Sequence, residues 1–250
     1  MNNLSLNFFT STRQHYNCPD IYKFTLSDLF KKSKIFTSCF KIAHIKILPD
    51  EEAKGAEIED ILKNEFNFNV ILKTIGNWAN NESHHAAYLQ DIKTLFSHPE
   101  LQNIKYGYFL ENDWIIHKDD FDPYIMDAIS ILEYAPELLT FRYTRIDETD
   151  KIQRLNAKLL DGYNSIYVQS QEFSFNPTFL RNRDMRFISQ FAHKNHLNIN
   201  LHCERAFGLA ANYLLSDNIG MGYYDDRFAF IDNRIVEHIG CPDAIKRLKL

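Results

Sequence analysis

Glu111-Asn112-Asp113 follows directly on an apolar, aromatic run at residues 104–110 (IKYGYFL) and stands directly before Trp114. Successive side chains of an extended segment alternate, so positions i and i+2 point to one side. Two hard oxygen donors on one side suit Mg2+ or Mn2+, with substrate phosphates completing the shell. The same letters are also those of a solvated acidic turn with a helix cap.

Other polar groupings bracket this turn. Thr10-Ser11-Thr12-Arg13 closes the first apolar run, and the planar fork of Arg13 matches phosphate. The stretch at residues 77–85 (NWANNESHH) is polar and aromatic; its bland alternative is a loop with an N-cap. His84 and His85 are adjacent, so on a helix they do not face one metal. His193 and His196 have a metal-compatible i, i+3 spacing, but no third ligand lies nearby in sequence. Asp119, Asp120 and Asp122 read as helix N-terminal charge before Pro123.

These groups need elements to hold them. Apolar spacing close to helical periodicity marks helices at residues 21–32, 58–66, 83–96 (with Ser83 as N-cap), 123–134, 185–192 and 203–215. Strands are expected at 5–9, 43–48, 68–75, 104–110, 138–143 and 165–169. The first half alternates strand and helix, which argues for an α/β sheet that is largely parallel there. Ligands of such sheets bind beyond the carboxyl ends of strands. That rule singles out residues 10–13 and 111–113.

A strand-end E-x-D followed by Trp114 resembles the D-x-D motif of GT-A fold glycosyltransferases, some of which read E-D-D-W; here Asn112 replaces the middle acid. The order of other segments strengthens the resemblance. Residues 8–13 (FFTSTR) resemble the first strand and nucleotide-holding turn, and 173–178 (FSFNPT) the segment shaping the acceptor side. His202-Cys203-Glu204-Arg205 resembles the later acidic position, and residues 236–240 (VEHIG) an H-x-G element.

The resemblance implies an α/β, single-domain GT-A fold with a Rossmann-like, mixed, mostly parallel central sheet flanked by helices. Residues 1–115 would be the nucleotide-binding half and 116–250 the acceptor-side half. It implies Mn2+ or Mg2+ on Asp113 and His238, with Glu111 direct or through water. A nucleotide diphosphate sugar would be the donor, met by Thr10, Ser11, Thr12, Arg13, Asn77, Asn80, His84, Glu111 and Asn112. Glu204 would be the base that deprotonates a glycan or other hydroxyl acceptor if the enzyme inverts.

Composition limits the alternatives. The chain has 250 residues and 8 glycines, with neither G-x-G-x-x-G nor G-x-x-x-x-G-K, so a dinucleotide fingerprint and a P-loop are unsupported. A diphosphate would have to rest on a metal rather than on a glycine loop. Lys and Arg number 28 against 33 acids, a net charge of −5 with no basic stripe; no nucleic-acid partner is expected. Four scattered cysteines without C-x-x-C read as free thiols. No apolar stretch reaches spanning length and no leader pattern opens the chain. A cytoplasmic protein without a transmembrane segment is expected, at most peripheral to a membrane through a partner. Two other functions stay open: a nucleotidyltransferase, which would want a glycine-rich loop carrying Lys or Arg after the first strand, and a non-catalytic carbohydrate-recognition domain.

Overall fold

The computed structural model describes residues 3–12, 21–76, 81–135, 138–143, 157–159, 166–170, 175, 177–199, 203–216, 228–230 and 235–238. The side chains of 81–84, 157–159, 166–170, 194–199, 212–216, 228–230 and 238 are not among those described. In chain order the elements are β1 (Leu4–Ser11), α1 (Ile21–Lys32), α2 (Lys34–Ser38), β2 (Phe40–Ile47), α3 (Glu52–Asn64), β3 (Val70–Ile75), α4 (Asn81–Phe96), a 3-10 turn (Pro99–Asn103), β4 (Tyr106–Glu111), β5 (Trp114–Ile116), α5 (Asp122–Tyr134), β6 (Thr140–Arg142), β7 (Ala157–Leu159), β8 (Ile166–Ser170), β9 (Thr178–Arg181), α6 (Asn182–Ile199), α7 (Cys203–Ser216), β10 (Phe228–Phe230) and β11 (Val236–His238).

Among the described residues one sheet has the order β3-β2-β1-β4-β9-β6-β10-β8-β7, and β11 pairs with β5 in a separate ribbon. Strands β3, β2, β1 and β4 run parallel. From β9 outward the pairing becomes mixed: β9 is antiparallel to β4 and β6, β10 is parallel to β6, and β8 is antiparallel to β10 and β7. The expected α/β class with a parallel N-terminal part and flanking helices is the fold observed, and the sheet passes without a break from residues before 115 to residues after it.

Parallel strands need cover on both faces, and the alternation of side chains divides the core accordingly. Leu4, Leu6 and Phe8 of β1 and Tyr106, Tyr108 and Leu110 of β4 pack with α1, α3 and α5. Phe9, Ile42 and Phe109 face the other way, onto α4, α6 and α7. No helix among the described residues is long and apolar enough to cross a membrane. Cys39 and Cys203 are buried free thiols, as the cysteine spacing suggests.

The short helix α2 escapes the periodicity test because it has five residues. Ser33 caps it, its hydroxyl oxygen accepting from Phe36 N at 3.0 Å. That hydroxyl donates to Asp122 Oδ1 at 2.6 Å. Asp122, expected only as helix-start charge on α5, therefore ties α5 to α2. Helix α4 begins at Asn81, so Ser83 lies inside the first turn and is not the N-cap.

Two buried polar groupings join helices to strands. At the amino edge, Asn182 Nδ2 lies 3.0 Å from Ser5 Oγ, Ile104 O and Tyr106 O, sharing two protons among three acceptors. Asn182 Oδ1 accepts from Asn7 Nδ2 at 2.9 Å. Gly107 leaves room for this crossing: a Cβ there would meet Asn182 Oδ1 and Asn7 Nδ2 at 2.4 Å each.

Toward the carboxyl edge, Asp91 of α4 receives Lys46 Nζ at 3.1 Å on Oδ2 and Thr74 Oγ1 at 2.8 Å on Oδ1. His44 Nε2 is 3.6 Å from Asp91 Oδ1. Its ring stacks on Phe9 at 5.2 Å. Burial, helped by the charge of Lys46, pushes the His44 imidazole down to about 3, so it is neutral beside the Lys46–Asp91 pair. Burial pushes the Asp91 carboxyl up, opposed by Lys46.

Three outcomes are expected. Gly107→Ala should cost about 2–4 kcal/mol in urea unfolding, by crowding the Asn182–Asn7 contact. Asp91→Ala strands the Lys46 charge, whose side chain is 6% exposed, and should cost about 3–5 kcal/mol, with Lys46→Met/Asp91→Leu recovering most of it. His44 titrates at 6.5 ordinarily and at about 3 when folded, so the unfolded chain binds more protons in that window and stability falls as pH drops through it. His44→Gln should therefore show a smaller loss of urea midpoint between pH 7 and pH ~5 than the parent chain.

Candidate functional site at the carboxyl edge

The chain leaves β1, moves outward to β2 and β3, then returns to lay β4 on the other side of β1. The point of reversal lies between β1 and β4, and open α/β sheets bind ligands outside the carboxyl ends at such a switch point. Phe9 of β1 is in register with Glu111 of β4. Hence Thr10, Ser11 and Thr12 flank one side of the switch point, and Glu111, Asn112 and Asp113 the other.

The acidic segment is not extended throughout. Glu111 ends β4, and Asn112 and Asp113 form a two-residue turn into β5. The simple alternation expected for Glu111 and Asp113 therefore fails, because the chain turns between them. Glu111, two residues on from Phe109, lies on the α4 side of the sheet, where Tyr88 Oη donates to its Oε1 at 2.6 Å. The carbonyl of Asn112 accepts from Thr25 Oγ1 of α1 at 2.9 Å. Asp113 is buried. Trp114 packs in the core.

Helix α1 also fixes the chain beyond the turn. Asp28 Oδ2 accepts from Ile116 N at 3.0 Å, and Lys32 joins Asp28 at 2.5 Å while donating to Ile116 O. Strand β11 then lies antiparallel to β5, with His238 opposite Trp114. The backbone of His238 is thereby next to the acidic turn; its side chain and the rest of the H-x-G element lie outside the described residues. Glu237, its neighbour, meets His117 Nε2 at 2.6 Å.

On the β1 side, Thr10 is 1% exposed, and its Oγ1 has no hydrogen-bond partner among the described residues. Thr12 is spent partly on structure: its N–H donates to Lys46 O at 2.9 Å, and its Oγ1 accepts from Leu48 N at 3.0 Å. Ser11 is buried. Arg13, Asn77 and Asn80 lie outside the described residues, and His84 is placed only by its backbone, in the first turn of α4.

Glu204 sits in the first turn of α7, where its Oε1 accepts from Phe175 N at 2.9 Å. Burial pushes the Cys203 thiol up to about 12, with the charges of Glu204 and then Glu111 adding to the rise. Burial also raises the Tyr88 phenol, and Glu111 and Glu204 add to the rise. Tyr88 thus bonds Glu111, although its own spacing marks it only as a core position of α4.

The Lys46–Asp91–His44 grouping is not revealed by any motif, although alternation along residues 43–48 puts His44 and Lys46 together on one face. For a metal, no group of three or more His, Cys, Asp or Glu gathers among the described residues. Asp113 and Glu111 offer hard carboxylate donors, with one Glu111 oxygen already accepting from Tyr88. The oxygen donors of each are of the kind that suits a cation taking much of its shell from phosphate and water.

No family model matches the chain, and no curated protein matches it. Solved structures do match. One is the crystal structure of 4-diphosphocytidyl-2C-methyl-D-erythritol synthase from Anaerococcus prevotii DSM 20548, at a TM-score of 0.51 and 13% identity, covering 100% of this chain and 97% of that one. At that identity the likeness is one of fold alone.

Proposed function

We propose that the chain is a nucleotide-dependent transferase that binds a nucleoside diphosphate group over the carboxyl edge of β1 and β4. The observation that carries this is the meeting at the switch point of Thr10, with its buried hydroxyl, and the acidic turn Glu111-Asn112-Asp113. Asp113 and Glu111, with His238 as a further donor, hold Mg2+ or Mn2+, which when bound neutralises charge on the diphosphate. Ser11, Thr12, Arg13, Asn77, Asn80, His84 and Asn112 surround the nucleotide. Where the reaction is glycosyl transfer, Glu204 takes the proton of the acceptor hydroxyl. Residues 1–115 serve the nucleotide and 116–250 the acceptor.

The likeness in fold supports nucleotidyl transfer first, because the neighbour's name places a diphosphocytidyl group on its product. A specific feature supports glycosyl transfer from a nucleotide sugar as the second reading. The first glycine of the chain is Gly55, so no glycine-rich loop follows β1 to wrap a triphosphate, and the E-N-D-W turn resembles that of GT-A glycosyltransferases.

Two product assays with Mn2+ separate these readings. Pyrophosphate released from nucleoside triphosphates and phosphorylated alcohols assigns nucleotidyl transfer; nucleoside diphosphate released from nucleotide sugars assigns glycosyl transfer. Asp113→Ala should lower whichever activity is found about 100-fold or more with the unfolding temperature unchanged. Nucleotide binding with neither product would leave a recognition domain, and absence of any nucleotide binding would overturn the proposal.

A further inference from the structure

The hydroxyl of Tyr88 donates to the first carboxylate of the acidic turn, 2.6 Å from Glu111 Oε1. That length is typical of a hydroxyl donating to an ionised carboxylate, roughly twice as strong as a neutral pair. The ring has little freedom to withdraw. Phe9 meets it at 5.0 Å and 64°, and Phe175 at 5.0 Å and 77°. Phe175 is itself edge-on to Phe207 of α7 at 5.2 Å. One turn along α4, Asp91 is bound to Lys46 and Thr74, which fixes the helix against sliding along the sheet.

Phe175 adds a second connection. Its ring buttresses Tyr88, while its backbone N–H donates to Glu204 Oε1. The two carboxylates placed at the site, Glu111 and Glu204, are thus supported by neighbouring parts of one aromatic cluster. A core tyrosine needs some partner for its hydroxyl when buried; here that partner is a group at the ligand edge, where holding one oxygen decides how the other is presented.

Resting on the reading of the acidic turn as the ligand site, we propose that Tyr88 is a positioning residue: its hydroxyl holds Glu111 Oε1 and so presents the remaining oxygen to a divalent cation at the carboxyl edge. Groups that orient a metal's ligands in this way typically change metal affinity by about 10–100-fold when removed. Tyr88 is buried against Phe9 and Phe175, so its loss should act on the cation and leave direct nucleotide contacts alone.

The test uses the full chain, Mn2+ followed by electron paramagnetic resonance, and CDP or UDP as the nucleotide probe. Tyr88→Phe keeps the ring and removes the donor. The Mn2+ dissociation constant in the presence of nucleotide should rise about 10–100-fold, while nucleotide affinity in EDTA stays at the parent value. A merely structural role would shift both or neither. Where Phe at this position does not fold, 4-fluorophenylalanine fills the hydroxyl's space without donating, and the same split is expected. In a double-mutant cycle, adding Tyr88→Phe to Glu111→Gln should cost nothing further; additive losses would overturn the proposal. If Tyr88→Phe binds Mn2+ as the parent does while Asp113→Ala does not bind it, Tyr88 has no positioning role and the site reading stands. If the parent chain binds no Mn2+, or Asp113→Ala binds it unchanged, the site reading itself fails.

Discussion

Strand β1 is buried along its whole length, paired in parallel on one side with β2 and on the other with β4. A strand in that position exposes neither face nor edge, and the remaining architecture follows from covering it. Its alternating side chains require helices above and below, which supplies two cores. Its polar residues are confined to what the edges can accommodate: Ser5 and Asn7 at the amino end satisfied by Asn182, and Thr10 and Ser11 at the carboxyl end. The amino end is closed by mutual hydrogen bonds, while the carboxyl end keeps a buried hydroxyl next to acids. The polarity of the sheet thus separates a stabilising edge from a chemical one.

Helix α4 translates that asymmetry into a rigid support. It touches the sheet through apolar residues such as Leu89, Ile92 and Phe96, but its register is set by polar anchors. Asp91 reaches β2 and β3, and Tyr88 reaches the end of β4. Residues three apart on a helix share a face, so one turn of α4 spans the sheet from its edge strand to its centre. Buried charge is costly unless paired, and the Lys46–Asp91 pair, with side chains 6% and 1% exposed, ties α4 to this register.

The long elements are legible in the sequence because period and length agree. Helix α1 has the predicted limits, and β1, β2, β4 and α7 shift by one to three residues at an end. Strands β5, β9, β10 and β11 have three or four residues, too few for alternation to rise above chance, and their existence depends on partners remote in sequence. That is why the acidic turn looks extended in the sequence: only the ribbon of β5 with β11 reveals that the chain bends at Asn112 and Asp113. Glu111, Glu204 and His238 can be singled out in the sequence through the resemblance. Tyr88 and Asp91 cannot be found that way, since an aromatic and an acid on a helix carry no signal until the facing strand is known.

The ribbon of β5 and β11 has a bearing on how the protein is made. His117 and Glu237, which meet across it, are 120 residues apart in sequence, and contacts of such separation carry a high loop-closure cost and form late. During synthesis, β1 to β4 can pair while the ribosome is still adding the second half, since domains assemble from the amino end as the chain emerges. The acidic turn would then be built early but left without its β11 partner until the chain has grown by about 120 further residues. A nascent chain therefore carries the parallel part of the sheet before the segment bearing His238 can reach it, so this edge is completed well after its first strands have paired.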